Sequence, residues 1–125
     1  MMRLLVFLIS FLTISITSAQ TLDAIRAPLA SKSLLLDITI VNNSKLVAVG
    51  ERGHIVLSTD GEQWQQAQVP VQVTLTAVYF TNENNGWAVG HDATILSTND
   101  GGLTWQLQQH LPQVEKPLLD VLFTD

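Results

Sequence analysis

Polar and apolar residues alternate with a period of two along much of the chain, and no helical stripe stands out beyond residue 20. Asp37-Ile38-Thr39-Ile40 alternates polar and apolar, the pattern of a strand with one buried face. Leu46-Val47-Ala48-Val49 and Ile55-Val56-Leu57 are short apolar runs, rich in β-branched residues and bounded by glycine. Such runs read as strands covered on both faces. Asn42-Asn43-Ser44 and Asn82-Glu83-Asn84-Asn85-Gly86 are turn clusters. Strands are therefore expected near 34–41, 45–50, 54–59 and 64–69, and again near 75–81, 86–90, 94–98 and 105–109.

The second set repeats the first. Val49-Gly50 aligns with Val89-Gly90, which carries Ile55 onto Ile95, Asp60 onto Asp100 and Gly61 onto Gly101. Trp64 meets Trp105 one residue out of step. A third copy begins at Leu118, where Leu118–Thr124 matches Leu75–Thr81. Four short strands in roughly 40 residues make one blade of a β-propeller. The fold expected is all-β: two four-stranded antiparallel blades, near 34–73 and 74–114, plus the first strand of a third near 118, in an incomplete ring. The apparent strand at the end favours reading the chain as an N-terminal fragment. Its ring would be completed by further blades or by self-association.

Residues 1–19 read as a signal peptide. Arg3 precedes the apolar run Leu4–Ile16, and Thr17 and Ala19 supply small residues for cleavage before Gln20. The run is shorter than the roughly 20 residues that span a bilayer. This places the protein across the inner membrane, in the periplasm or another extracytoplasmic space. Residues 20–33 are irregular and read as a linker or a closing strand.

Composition narrows the choice of partner. The net charge is −5 with six scattered basic residues, which excludes a nucleic-acid interface built on clustered Lys and Arg. There is no cysteine, which excludes disulfides, thiolate zinc sites and a cysteine nucleophile.

Thr98-Asn99-Asp100-Gly101-Gly102-Leu103-Thr104-Trp105 fits S/T-x-D-x-G-x-T-W, the Asp-box turn of bacterial-neuraminidase-type repeats. Ser58-Thr59-Asp60-Gly61-Glu62-Gln63-Trp64 is a shorter copy. An Asp carboxylate can accept the N–H groups of a tight turn, glycine takes its left-handed corner, and Trp buries apolar surface behind it. The turn residues singled out are Ser58, Asp60, Gly61 and Trp64, with Thr98, Asp100, Gly102 and Trp105. They are read as structural. Calcium ligation by Asp60 or Asp100 is disfavoured, since a calcium loop needs several oxygen ligands at alternate positions and a distal Glu.

The order of features, Leu75–Phe80, Gly86-Trp87-Ala88-Val89-Gly90, Thr94–Thr98 and Asn99–Trp105, resembles the photosystem II stability/assembly factor-like family. The resemblance implies a propeller of about seven blades of roughly 40 residues. It implies a non-enzymatic protein docking or complex-assembly module, with a protein partner such as a membrane complex under assembly. No cofactor, metal or catalytic residue is expected. Photosynthetic bacterial members are commonly lipid-anchored through cysteine, which this sequence lacks.

The alternative is a carbohydrate-active propeller, either a sialidase-like remnant or an oligomeric two-blade lectin. Sialidase chemistry needs three arginines on the substrate carboxylate and a Tyr–Glu pair. Beyond the signal the arginines are Arg26 and Arg52, and the tyrosine is Tyr79. Tyr79 is expected to pack within a strand and Trp87 between blades. His54, His91 and His110 lack metal-ligand spacing, and the loop-to-strand positions of His54 and His91 predict solvated rings.

Overall fold

A computed structural model describes residues 22–124; residues 1–19, read as a signal peptide, lie outside that range. Eight strands form two sheets: β1 (Leu35–Val41), β2 (Lys45–Gly50), β3 (Ile55–Ser58) and β4 (Gln65–Gln66), then β5 (Leu75–Phe80), β6 (Gly86–Gly90), β7 (Thr94–Thr98) and β8 (Gln106–Gln109). Each sheet is a four-stranded antiparallel meander in chain order. These are two blades of a β-propeller, and the described residues form no closed ring.

The registers of the two blades coincide. Leu35 pairs with Gly50 and Leu75 with Gly90, each followed by the same one-residue irregularity. Both glycines sit where backbones meet: a Cβ on Gly50 would lie 2.0 Å from the Leu34 carbonyl oxygen, and one on Gly90 2.2 Å from that of Thr74. The β1–β2 hairpin turns through Asn42 and Asn43, both left-handed, a conformation asparagine tolerates better than most residues.

The core lies between the blades. Val47, Val49, Ile55 and Leu57 line one face of blade 1 and pack on Val78, Ala88, Leu96 and Trp105 of blade 2. The connection between the blades, with Ala67, Val69 and Val71 buried, closes the same cluster. Gln68 bridges Thr104 in parallel, donating its N–H to the Leu103 carbonyl and accepting that of Trp105. This explains why β4 is only two residues long where 64–69 was expected. Ala67 still donates to the Ile55 carbonyl of β3, but at Gln68 the backbone turns both its hydrogen bonds to blade 2.

β1 presents the opposite face from the one its alternation predicts. Asp37 and Thr39 point toward blade 2, and Asp37 Oδ2 accepts the Val78 N–H at 2.9 Å. Ile38 and Ile40 point outward, 55% and 65% exposed. Val78, the repeat mate of Ile38, is 5% exposed, because blade 1 covers it.

Residues 22–33 form no strand. They run along the outer side of blade 1, ending in a 3-10 turn at Ala30–Lys32. Gln66 ties them down: its amide donates to the Ile25 carbonyl and accepts the Ala27 N–H, both at 2.9 Å. Ala24 donates to the Val69 carbonyl at 2.7 Å, and Ala30 packs on Ala48 and Val56.

Leu118–Thr124 forms no ladder among the described residues, although its sequence reads as a strand. It lies extended against blade 2, where the Leu118 N–H reaches the Gly90 carbonyl at 2.9 Å and Thr76 Oγ1 donates to the Leu118 carbonyl. Phe123 stacks 4.3 Å from Trp87 and 5.9 Å from Tyr79. Trp87 and Tyr79 are thus half-buried between β5–β6 and this segment.

The two faces differ in what a deletion should cost. Leu96→Ala opens a cavity at the blade interface and should lower stability by about 2–5 kcal/mol. Ile38→Ala should change it by less than about 1 kcal/mol. Urea unfolding midpoints of the two variants test this; equal losses would mean that the outward face of β1 is covered.

Candidate functional site

The two Asp turns lie at the β3–β4 and β7–β8 connections, with the same internal wiring. In blade 1, Ser58 Oγ donates to Asp60 Oδ1 at 3.0 Å and accepts the Gly61 N–H at 2.8 Å. Asp60 Oδ1 also accepts the N–H groups of Glu62 and Gln63, at 2.9 and 2.8 Å. In blade 2, Thr98 Oγ1 donates to Asp100 Oδ1 at 2.8 Å and accepts the Gly102 N–H at 3.0 Å. Asp100 Oδ1 takes the Thr104 N–H at 3.0 Å, and Oδ2 takes the Thr104 hydroxyl. Each tryptophan donates its indole N–H back to a turn carbonyl, Trp64 to Gly61 at 3.2 Å and Trp105 to Gly102 at 3.0 Å. Gly61 and Gly101 share a left-handed φ of 76° and 77°, and Gly102 adds a second such corner at 94°.

These contacts stabilise the charged carboxylates. The N–H of Gln63 leads in holding Asp60 below the ordinary carboxylate value, helped by the N–H of Glu62 and the Ser58 hydroxyl. Burial pushes Asp100 upward, but the Thr104 hydroxyl and N–H and the Thr98 hydroxyl together outweigh it, so its carboxyl too is lowered.

The turns differ in their surroundings. Lys45, at the start of β2, donates to the Gly101 carbonyl at 2.7 Å and the Glu83 carbonyl at 3.3 Å, with its ammonium 5.8 Å from the Phe80 ring centroid. Trp105 is 5% exposed and meets Phe80 edge-on. Trp64, which no preceding blade covers among the described residues, is only half-buried. Sequence reasoning missed Lys45 and Thr104. Thr104 stands in the turn motif itself, whereas Lys45 reaches the turn across the blade interface, where no local pattern points.

Among the described residues no group of three or more His, Asp or Glu side chains is placed to hold a metal. Arg26 donates to the Gln66 carbonyl, and Arg52 sits in a left-handed turn position. His91 is exposed. His54 is not: contrary to the solvated ring predicted for it, it is 4% exposed, its Nδ1 2.9 Å from Ser33 Oγ. The 22–33 segment that covers it lies far away in sequence. Burial lowers its pKa, against the pull of Glu51. His110 Nδ1 lies 3.0 Å from Thr94 Oγ1.

A groove of about 790 Å³ runs between the inter-blade connection and β8. Leu22, Val71, Val73, Leu107, Leu111 and Pro112 supply its apolar wall. Glutamines and His110 supply its polar rim, and no carboxylate or arginine enters it.

Repeated antiparallel blades whose outer turns are locked by an Asp carboxylate define a β-propeller protein of the Asp-box repeat class. A family profile described as Photosynthesis system II assembly factor YCF48 matches residues 59–123, just over half of the chain. The chain belongs to that family. A Photosystem II assembly protein Ycf48 from Synechococcus sp. (strain JA-3-3Ab) is 48% identical over 48 residues, covering 37% of this chain and 14% of that protein. A Photosystem II assembly lipoprotein Ycf48 from Prochlorococcus marinus (strain MIT 9312) is 36% identical over 70 residues, 54% of this chain and 21% of the relative. The chloroplastic Photosystem II stability/assembly factor HCF136 of Cyanidioschyzon merolae is 38% identical over 48 residues, 37% of this chain and 11% of that one. The chain thus spans about a fifth or less of the length of these relatives. No solved structure matches it.

Two tests address the turns. Thr98→Val leaves the Gly102 N–H and Asp100 without their shared partner in a buried setting and should cost about 1–3 kcal/mol, read from urea midpoints. Because both aspartates have lowered folded-state pKa values, their contribution is complete above the ordinary value of 3.8 and is lost as pH falls through the lowered ones. An Asp60→Asn, Asp100→Asn double variant should therefore show a shallower loss of stability below pH 3.8 than the parent; identical acid profiles would remove the turns from the pH response.

Proposed function

We propose that this chain is a blade pair of an extracytoplasmic, non-enzymatic propeller that docks a protein of photosystem II while that complex is being assembled. Membership of the YCF48 family carries the reading. The Photosystem II assembly proteins named among its relatives supply the partner. The relatives named lipoproteins, together with the signal-like residues 1–19, support placement outside the cytoplasm.

The surfaces suit docking rather than turnover. Both aspartate turns spend their carboxylates on local N–H and hydroxyl groups, so we read them as braces of the blade ends. The groove along β8 has an apolar wall, with glutamines and His110 at its rim. A protein surface is held by such chemistry through packing and exclusion of water.

The test is in vivo cross-linking. A tagged form of the chain is expressed in a cyanobacterium, membranes are cross-linked, and captured proteins are identified by mass spectrometry. Photosystem II subunits should be enriched at least several-fold over a tagged unrelated propeller, and Leu107→Asp in the groove should reduce that enrichment. Equal recovery from both baits would sink the proposal.

A further inference from the structure

The chain carries both halves of an interface that it already makes once internally. Val78 and Phe80 of β5 face blade 1, and their repeat mates on β1 are Ile38 and Ile40. Those two, with Leu34 and Leu36, form an exposed apolar stripe. The stripe is one strand wide. Farther out on the same face, Ala48 and Val56 are already covered by Ala30, with Ala27 packed beside it.

Its complement is at the other end of the chain. Leu118–Thr124 follows blade 2 as β5 follows blade 1: the Gly53 N–H reaches the Val73 carbonyl at 2.8 Å, and the Ala93 N–H reaches the Lys116 carbonyl at 2.9 Å. The segment also repeats a detail of β1. Asp37 Oδ1 accepts the N–H of its own neighbour Ile38 at 2.9 Å, and Asp120 Oδ1 that of Val121 at 2.8 Å. Leu122 holds the repeat position of Thr39, which points toward the following inner strand. Leu119 and Leu122 are exposed, and Phe123 keeps an exposed edge. Among the described residues no inner strand is laid after the extended apolar segment 118–124, and none before the one-strand apolar stripe of β1.

We propose that Leu118–Thr124 of one copy of this chain docks along β1 of a second copy, head to tail, with Leu122 of the first against Ile38 of the second. The contact is heterologous, so it propagates to closed rings or open chains rather than stopping at a symmetric pair. The internal template also brings Asp120 to the Ile38 N–H that Asp37 already holds. Two carboxylates meet there, so Asp120→Asn tightens the association.

The experiment uses the full chain alone, and its lack of cysteine makes site-directed disulfides clean reporters. Light scattering up to about 100 micromolar should show concentration-dependent oligomers. An Ile38→Asp, Ile40→Asp double variant should be monomeric at that concentration, and should match the parent's urea midpoint at dilutions where the parent is monomeric too. Mixed Ile38→Cys and Leu122→Cys chains should form the mixed disulfide several-fold faster than either homodimer. A parent that stays monomeric overturns the proposal. So does association undiminished in the double variant, faster Ile38–Ile38 cross-linking, or weakening by Asp120→Asn. The photosystem II reading is untouched by any of these results, since no other protein is present.

Discussion

A single four-stranded sheet has two faces, and water can be kept from both only by something laid on each side. Everything else in this chain follows from how that cover is supplied. Between the blades it is supplied by apolar packing: β-branched residues of β2 and β3 meet Val78, Ala88 and Leu96, while Asp37 of β1 caps the Val78 N–H beside them. Burial of this kind contributes about 25 cal/mol for each Å² of apolar surface, which is why the strands at the interface are almost wholly apolar. Outside it the cover is improvised. Residues 22–33 lie over the outer strands of blade 1, and Leu118–Thr124 lies over β5 and β6.

Polar groups mark the limits of that apolar contact. Asp37 reaches across to satisfy the Val78 N–H, because Ala77, at its own position in the next repeat, has no acceptor to offer. Lys45 holds its ammonium over the Phe80 ring and spends it on two turn carbonyls of blade 2. The Asp turns satisfy their own backbone, so a blade end can face water or a neighbour without rewiring. A repeat with self-contained ends and an apolar middle can be stacked, and the YCF48 family is built from such repeats.

Much of this was legible in the sequence, for a definite reason. Strand limits were set by glycine and asparagine at turns that demand left-handed or crowded backbone, and a second copy in the same chain confirmed each one. What escaped depended on neighbours rather than on local pattern. The alternation of β1 told that one face is apolar but not which face is covered; the outward side proved to be that of Ile38 and Ile40. β4 stops early because Gln68 bonds to Leu103 and Trp105 instead. His54 is buried because Ser33, from the irregular N-terminal stretch, closes over it. The segment 118–124 has the composition of a strand, yet strand pairing requires a partner at its edge, and none lies within the described residues.

The meander order of each sheet also bears on how the chain folds. Every strand pairs with its sequence neighbour, so each blade assembles from loops of a few residues whose closure costs little entropy. The Gln66 amide, by contrast, holds residues about 40 positions away. Local hairpins therefore have the kinetic advantage, and the N-terminal wrap is a late event that must find blade 1 already built. During synthesis residues 22–33 leave the ribosome before the surface they need, which is complete only once Gln66 has emerged and β4 has formed.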